Sequence, residues 1–465
     1  MRRAGWCAVI ALALAGCRVP VKGGLTDVDR MLQDRGLSAL RWNQSRKEED
    51  DTRQLLDRIL ADELTAARAV EVALANSPRI QVILERLGVA QADVVQAGLL
   101  HNPSIGFHPG IPFGPPASGG IAWEVNLSMN ILDLFVMPLR KKLARLEFER
   151  AKLEVASAIW STALEVQSAY YDALAAKLKL ALQRTVTETA AAAAEFALRQ
   201  EAAGTLSALG LATEQGGYVQ MRMDLVHAES AAVATHERLV RLLGLWGSQT
   251  ALKLPDALPP PPERELALDD LERYALAHRL DLLAAEREAA MFDRAVKNAK
   301  HTRFITALSV GADTHKEIDN PKVAGPSISL ELPIFDQGQA KIARLVSETR
   351  RARRQADALG VDVRSEVREQ ATKLLGARSL AEYLRRTVVP LRERTVALAQ
   401  KQYNAMLIGV YQLLAIKQAE VTAWRDYLDS VRDYWVARAE LERAAGAPLV
   451  ESTFPERTTT KGGAP

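Results

Sequence analysis

Eleven residues, Ile121 to Ile131, alternate without a break. Ile121, Trp123, Val125, Leu127, Met129 and Ile131 fall on one side, and Ala122, Glu124, Asn126, Ser128 and Asn130 on the other. A period of two predicts a strand with one apolar face and one face carrying a charge, two amides and a hydroxyl. That suits a strand with lipid on one side and water on the other, and about 9 to 11 tilted residues cross a bilayer. A half-buried strand of a water-soluble antiparallel sheet alternates in the same way. What flanks the strand decides between the two.

The N-terminus reads as a signal peptide over residues 1–16, with Arg2 and Arg3 before the apolar stretch Ala4 to Ala15, which is too short to span as a helix. It ends in Leu14-Ala15-Gly16-Cys17. Small residues before a cysteine match a lipoprotein-type cleavage site, so Cys17 is expected to carry acyl chains such as palmitate. Cys7 leaves with the signal, and the single remaining thiol excludes an internal disulfide or a cysteine-based metal site. With 465 residues and a formal net charge of +3, the chain has no bias toward nucleic acid.

Residues 17–54 lack clear periodicity and are expected to form a lipid-anchored extended arm. A helix is predicted to start near Leu55 or Thr65 and to run to about Ala97, with a break at Asn76-Ser77-Pro78. Strands follow at about 103–109 and 121–131, separated by the loop Gly110 to Gly120. After Pro138, Leu143, Leu146, Leu153, Ile159, Val166, Tyr170, Leu174, Leu178, Leu182 and Val186 recur at helical spacing. The helix reaches about Gly204 and is roughly 100 Å long. A second helix, Leu206 to Leu245, returns, and a Pro-rich linker covers 255–264.

Beyond the linker the elements recur at an offset close to 200 residues, so residues 55–254 and 265–447 read as two structural repeats. Ala275-Leu276-Ala277 echoes Ala73-Leu74-Ala75, and Lys341-Ile342-Ala343-Arg344-Leu345 echoes Lys142-Leu143-Ala144-Arg145-Leu146. Strands are expected at about 303–311 and 326–334 around a polar loop, Gly311 to Gly325, and a disordered tail over 448–465. Four membrane strands leave two open edges, and lipid offers no partner for their N–H and C=O groups. Single-chain bacterial barrels start at eight strands, so other copies of the chain must complete the ring.

At Ile131-Leu132-Asp133-Leu134-Phe135-Val136-Met137-Pro138-Leu139-Arg140-Lys141 and Leu332-Pro333-Ile334-Phe335-Asp336-Gln337-Gly338-Gln339, the chain resembles the TolC family of outer-membrane efflux proteins. The resemblance covers about residues 55–447. It implies a fold that is mainly α with membrane β: four strands per protomer in a trimeric twelve-stranded barrel, continued by a long periplasmic α-helical barrel. Asp133, Pro138, Pro333, Asp336 and Gly338 then mark strand–helix transitions, because proline suits a strand end or a first helical turn and Asp336 can cap the following helix. Gly204 and Gly409 match the tip turns that meet a periplasmic membrane-fusion adaptor, with Pro390, Gln402 and Tyr403 upstream. Family members often carry acidic residues about six and nine positions past the turn glycine. Here those places hold Gly210, Thr213, Ala415 and Gln418, so Tyr411, Gln412 and Gln418 are the candidates for a pore constriction.

Catalysis finds no support: Gly-x-Ser-x-Gly, a phosphate loop and His-Glu-x-x-His are all missing, and no cofactor is implied. His301 and His315 flank one strand, but two imidazoles make no metal site. Arg350, Arg351, Arg353 and Arg354 read as a solvated helix face, and Tyr427, Tyr434 and Trp435 as helix packing. The function expected is that of a passive duct in the outer membrane, completing a tripartite pump powered by an inner-membrane transporter of the RND or ABC kind. An exit duct for an ABC-driven secreted polypeptide is the alternative, and a periplasmic adaptor or structural lipoprotein the remote one.

Overall fold

The computed structural model describes residues 19–20, 22–110, 121–262, 270–304, 307–316 and 321–449. Cys17, the signal segment, nearly all of the loop Gly110 to Gly120 and most of the tail lie outside them. The helices, in chain order, are α1 (Leu25–Gln33), α2 (Arg46–Ala61), α3 (Ala66–Asn76) and α4 (Pro78–Ala97). Strands β1 (Ser104–Gly110) and β2 (Ala122–Asn130) lead into α5 (Asp133–Ala202) and α6 (Ala208–Leu243). Then come α7 (Leu271–His278), α8 (Leu280–Thr302), β3 (Leu308–Lys316), β4 (Val323–Leu330), α9 (Gln339–Tyr383), α10 (Val389–Asn404) and α11 (Val410–Ala445).

Within the arm expected to be extended over 17–54, residues 22–54 instead hold α1 and the first half of α2. Ser45 accepts from Glu48 N, and the Glu48 carboxylate accepts from Gln44 N at 2.8 Å, a reciprocal capping box that starts α2 nine residues before Leu55. Trp42 is 2 % exposed, and Arg35 donates to the carbonyls of Gly446 and His278, each at 2.8 Å. The segment is thus part of the core. Thr65 caps α3, and Pro78 opens α4, where its missing N–H costs nothing.

The chain divides into two compact units. One comprises residues up to 28 with 85–155 and 281–359, and it holds all four strands. They form one antiparallel sheet in the order β1-β2-β3-β4. The other comprises 29–84, 156–280 and the chain from 360, and it is helical. Its core includes Ile159, Val166, Tyr170 and Leu174 of α5 and Val431, Tyr434 and Leu441 of α11.

The twofold repetition is visible in backbone detail. Gly244, in the left-handed region at φ +69°, ends α6 against Pro78, where an added Cβ would lie 2.4 Å from Cδ. Gly446, at φ +71°, ends α11 against Arg279, with the same Cβ at 3.0 Å from its Cα. Both positions need glycine for conformation and for space. The proline-rich stretch is strapped to helices: Lys177 Nζ donates to Leu254 O at 2.6 Å, and Trp435 Nε1 to Pro259 O at 2.7 Å.

Two strands differ from the expected spans. The third runs Leu308–Lys316 rather than 303–311, and the fourth Val323–Leu330 rather than 326–334. Gly311, Asp313 and His315 suggested a loop, yet they share one face of a strand whose length is set by pairing with Trp123 to Asn130 of β2. Parity survives the shift, so the apolar side chains keep their face.

Candidate functional site

Register turns the four alternations into two surfaces. Phe107 pairs with Val125, Val125 with Thr314 and Thr314 with Ala324; the next layer is Ile105, Leu127, Ala312 and Pro326. Met129, Val310 and Ile328 continue this apolar face. The opposite face carries His108, Glu124 and His315 in one layer and Ser104, Ser128, Gly311 and Ser327 in another. Ile105, Phe107, Leu127 and Ile328 are exposed, and among the described residues β1 and β4 are each paired on one side only. Among the described residues no helix is long and apolar enough to cross a membrane.

All four strand ends nearest the helices lie at one end of the sheet, since Ser104 pairs with Ser128, Asn130 with Ser309 and Leu308 with Leu330. Asp133 begins α5 here and is buried. Its carboxylate accepts from His101 N at 3.1 Å and contacts the His101 ring, with the Arg140 guanidinium 3.7 Å away. Arg140 also donates to Ala97 O at 3.0 Å and Leu99 O at 2.6 Å, capping the C-terminal end of α4. Burial pushes the Asp133 carboxyl up, but the hydrogen bonds and charge of His101 with the charge of Arg140 outweigh it and hold the group below the usual carboxylate range.

The other transition residues depart from expectation in part. Pro138 sits within α5 rather than in its first turn, because the helix already starts at Asp133. Pro333 follows the last ladder bond, from Glu331 N to Ala307 O, where a missing donor is harmless. Asp336 does not cap α9: its carboxylate accepts from Gly338 N at 2.8 Å, an Asx turn. Gly338, at φ +75°, is the residue whose carbonyl receives the first helical bond, from Ile342 N at 2.9 Å.

At the far turns Gly204 adopts φ +73°, with Thr205 N bonded to Gln200 O at 2.9 Å, and Ser207 caps α6. In the second turn the left-handed residue is Met406, at φ +57°, and Leu407 N bonds to Gln402 O at 2.9 Å. Gly409, at φ −81°, is the N-cap of α11. It is therefore the counterpart of Ser207, and the counterpart of Gly204 is Met406, which is 94 % exposed. The glycine-to-glycine match was misleading because it aligned residue type rather than turn position.

Of the three candidate constriction residues, Tyr411 is engaged: its hydroxyl donates to Gln200 Oε1 at 2.7 Å, fastening the first turn of α11 to the last turn of α5. Gln412 and Gln418 are exposed. Gln418 borders a cleft of about 610 Å³, counting its open mouth, that is lined also by Glu214, Tyr218, Leu414 and Lys417. Burial raises the pKa of Glu214, an acidic group that sequence spacing missed because it stands ten residues after Gly204 rather than six or nine. Pro390 has its own accommodation. The helix widens to a π-turn over Leu384–Val388, and Val389 N reaches back to Leu384 O, sparing the bond a proline cannot make.

Residues 69–245 match the family described as outer membrane efflux protein. The cobalt-zinc-cadmium resistance protein CzcC of Cupriavidus metallidurans is 21 % identical over 405 residues, covering 85 % of this chain and 90 % of that protein. The CmeC outer membrane channel of Campylobacter jejuni is 15 % identical with a TM-score of 0.71, over 90 % of this chain and 93 % of the other. The open state of the MtrE outer membrane channel of Neisseria gonorrhoeae is 15 % identical with a TM-score of 0.64, over 82 % and 89 %. The chain has the fold of these channels.

Proposed function

We propose that the chain is a member of the outer membrane efflux protein family, whose model matches residues 69–245, and that it is the passive outer-membrane duct of a tripartite efflux system. Members of that family are channels rather than enzymes. The observation that carries the reading is the four-strand sheet, apolar on one face, polar on the other and unpaired at both edges. Lipid cannot satisfy edge N–H and C=O groups, and three copies supply twelve strands, enough for a closed ring. The length of the helices suits a reach through the periplasm: α5 alone, at 70 residues, is about 105 Å long.

The finer assignments belong to the same reading. Cys17 anchors the chain by acylation. The turns at Gly204 and Met406, with Ser207 and Gly409 as their caps, present the tip to a periplasmic adaptor, and an inner-membrane pump supplies the energy. The likeness to a cobalt-zinc-cadmium resistance protein along most of both chains favours divalent metal cations as cargo, and the inner-membrane partner is a pump of the RND or ABC kind. Tyr411, through its bond to Gln200, holds the tip narrow.

Purified protein should sediment as a trimer and conduct ions in a planar bilayer; a monomer without conductance would overturn the channel. Tyr411→Phe should raise the conductance of the free channel, and an unchanged value removes Tyr411 from the constriction. Cys17→Ser should abolish labelling by palmitate. A deletion strain should become sensitive to cobalt, zinc or cadmium, and lost export of a polypeptide with unchanged metal tolerance would select the secretion duct instead.

A further inference from the structure

The arginine cluster Arg350 to Arg354 is largely spent within the chain: Arg351 pairs with Glu348 at 2.6 Å, Arg353 with Asp293 at 2.5 Å and Arg354 with Asp357 at 3.6 Å. Nearer the sheet the pattern is the opposite. Lys142 and Arg145 of α5, Lys341 and Arg344 of α9, and Lys300 and Arg303 around the end of α8 are all exposed, and among the described residues none is paired with a carboxylate. Acids along the same elements are engaged elsewhere: Asp133 by His101 and Arg140, Glu149 by Lys152, Asp336 by Gly338 N and Glu348 by Arg351.

Two features argue against ordinary solvated lysines. First, Lys341 and Arg344 stand in the opening turns of α9, where the macrodipole disfavours cations and no acid occupies the first turn. Second, the belt sits beside exposed apolar groups: Phe135 is 72 % and Phe335 92 % exposed, one per repeat, and Arg303 lies over the Phe304 ring at 4.1 Å. Lys142 follows Phe135 by seven helical residues, about 10 Å, which long side chains shorten by snorkelling. The headgroup layer on each face of a bilayer is about 5 to 8 Å deep.

We infer that these six cations form a phosphate-binding belt for anionic phospholipid headgroups of the periplasm-facing leaflet, continuous with the lipid-facing strands. The inference rests on the proposed membrane insertion of the sheet. Apolar and aromatic groups at the strand ends lie at the base of the acyl region, and the unpaired cations meet the charge just outside it. Each Lys or Arg near an anionic surface contributes about fivefold in affinity.

The test titrates the detergent-purified full chain with short-chain phosphatidylglycerol and, separately, phosphatidylcholine, counting bound lipid by native mass spectrometry. The wild type should prefer phosphatidylglycerol by about tenfold or more, and K142Q/R145Q/K341Q/R344Q should lose that preference while binding phosphatidylcholine unchanged. R351Q/R354Q, whose arginines are already paired, should behave as wild type. Equal binding of both lipids, or a preference retained by the quadruple variant, overturns the belt. So does a variant that loses its oligomer when the wild type shows no preference, because the cations then pair across copies. Where the quadruple variant does not fold, salt decides: a wild-type preference that weakens with ionic strength supports the belt, and an insensitive one refutes it. Binding of neither lipid sinks the membrane reading itself.

Discussion

Met406 and Gly204 fill the same place in the two tip turns, and only glycine adopts that left-handed backbone without cost. A side chain there costs about 1–2 kcal/mol, partly offset by the freedom glycine adds to the unfolded chain. Met406→Gly should therefore raise stability by about 0.5–1 kcal/mol in a thermal or denaturant titration, and Gly204→Ala should lower it by a similar amount. Asp133 gives a pH signature. Its lowered pKa favours the ionised form in the folded protein, so its contribution is complete above the unfolded carboxylate value of about 3.9 and is lost as pH falls through the lowered one. Asp133→Asn should cost about 1–2 kcal/mol at neutral pH and should flatten this acid limb of a stability-versus-pH curve.

Strand parity was legible because a period of two assigns every side chain to a face before any span is known, and Leu308, Val310, Ile328 and Leu330 fell on the correct one. Spans were not legible. The polar face of β3 places Gly311, Asp313 and His315 at alternate positions, and those residue types also signal turns. The helical arm was hidden for another reason: Ser45 and Glu48 spell a capping box, but the charge run behind it conceals the short apolar stripe of Thr52, Leu56 and Ile59. Among the tip residues, residue type was readable and turn position was not, which is why Gly409 stood in for Met406. The sheet itself offers a matched test. An added Cβ at Gly311 would sit 2.5 Å from Leu127 O, backbone that cannot yield, whereas nothing lies within 4 Å at Gly325. Gly311→Ala should destabilise the fold by about 1–3 kcal/mol and Gly325→Ala by far less, read as the unfolding temperature.

At the scale of the whole molecule, the repeat accounts for the economy of the design: one plan of helix, strand, strand, long helix and returning helix is used twice. The glycines at 244 and 446 close each copy against the start of its own second helix. Gly446→Ala should test that closure without touching the sheet, lowering the unfolding temperature of the helical unit while conductance persists in the molecules that remain folded. The unpaired edges of β1 and β4 carry a genetic consequence. In the proposed ring of three subunits, a single subunit that cannot accept its neighbour spoils the other two. Equal synthesis of normal and edge-damaged chains would leave only about one assembly in eight intact, so a damaged allele should be dominant over the normal one.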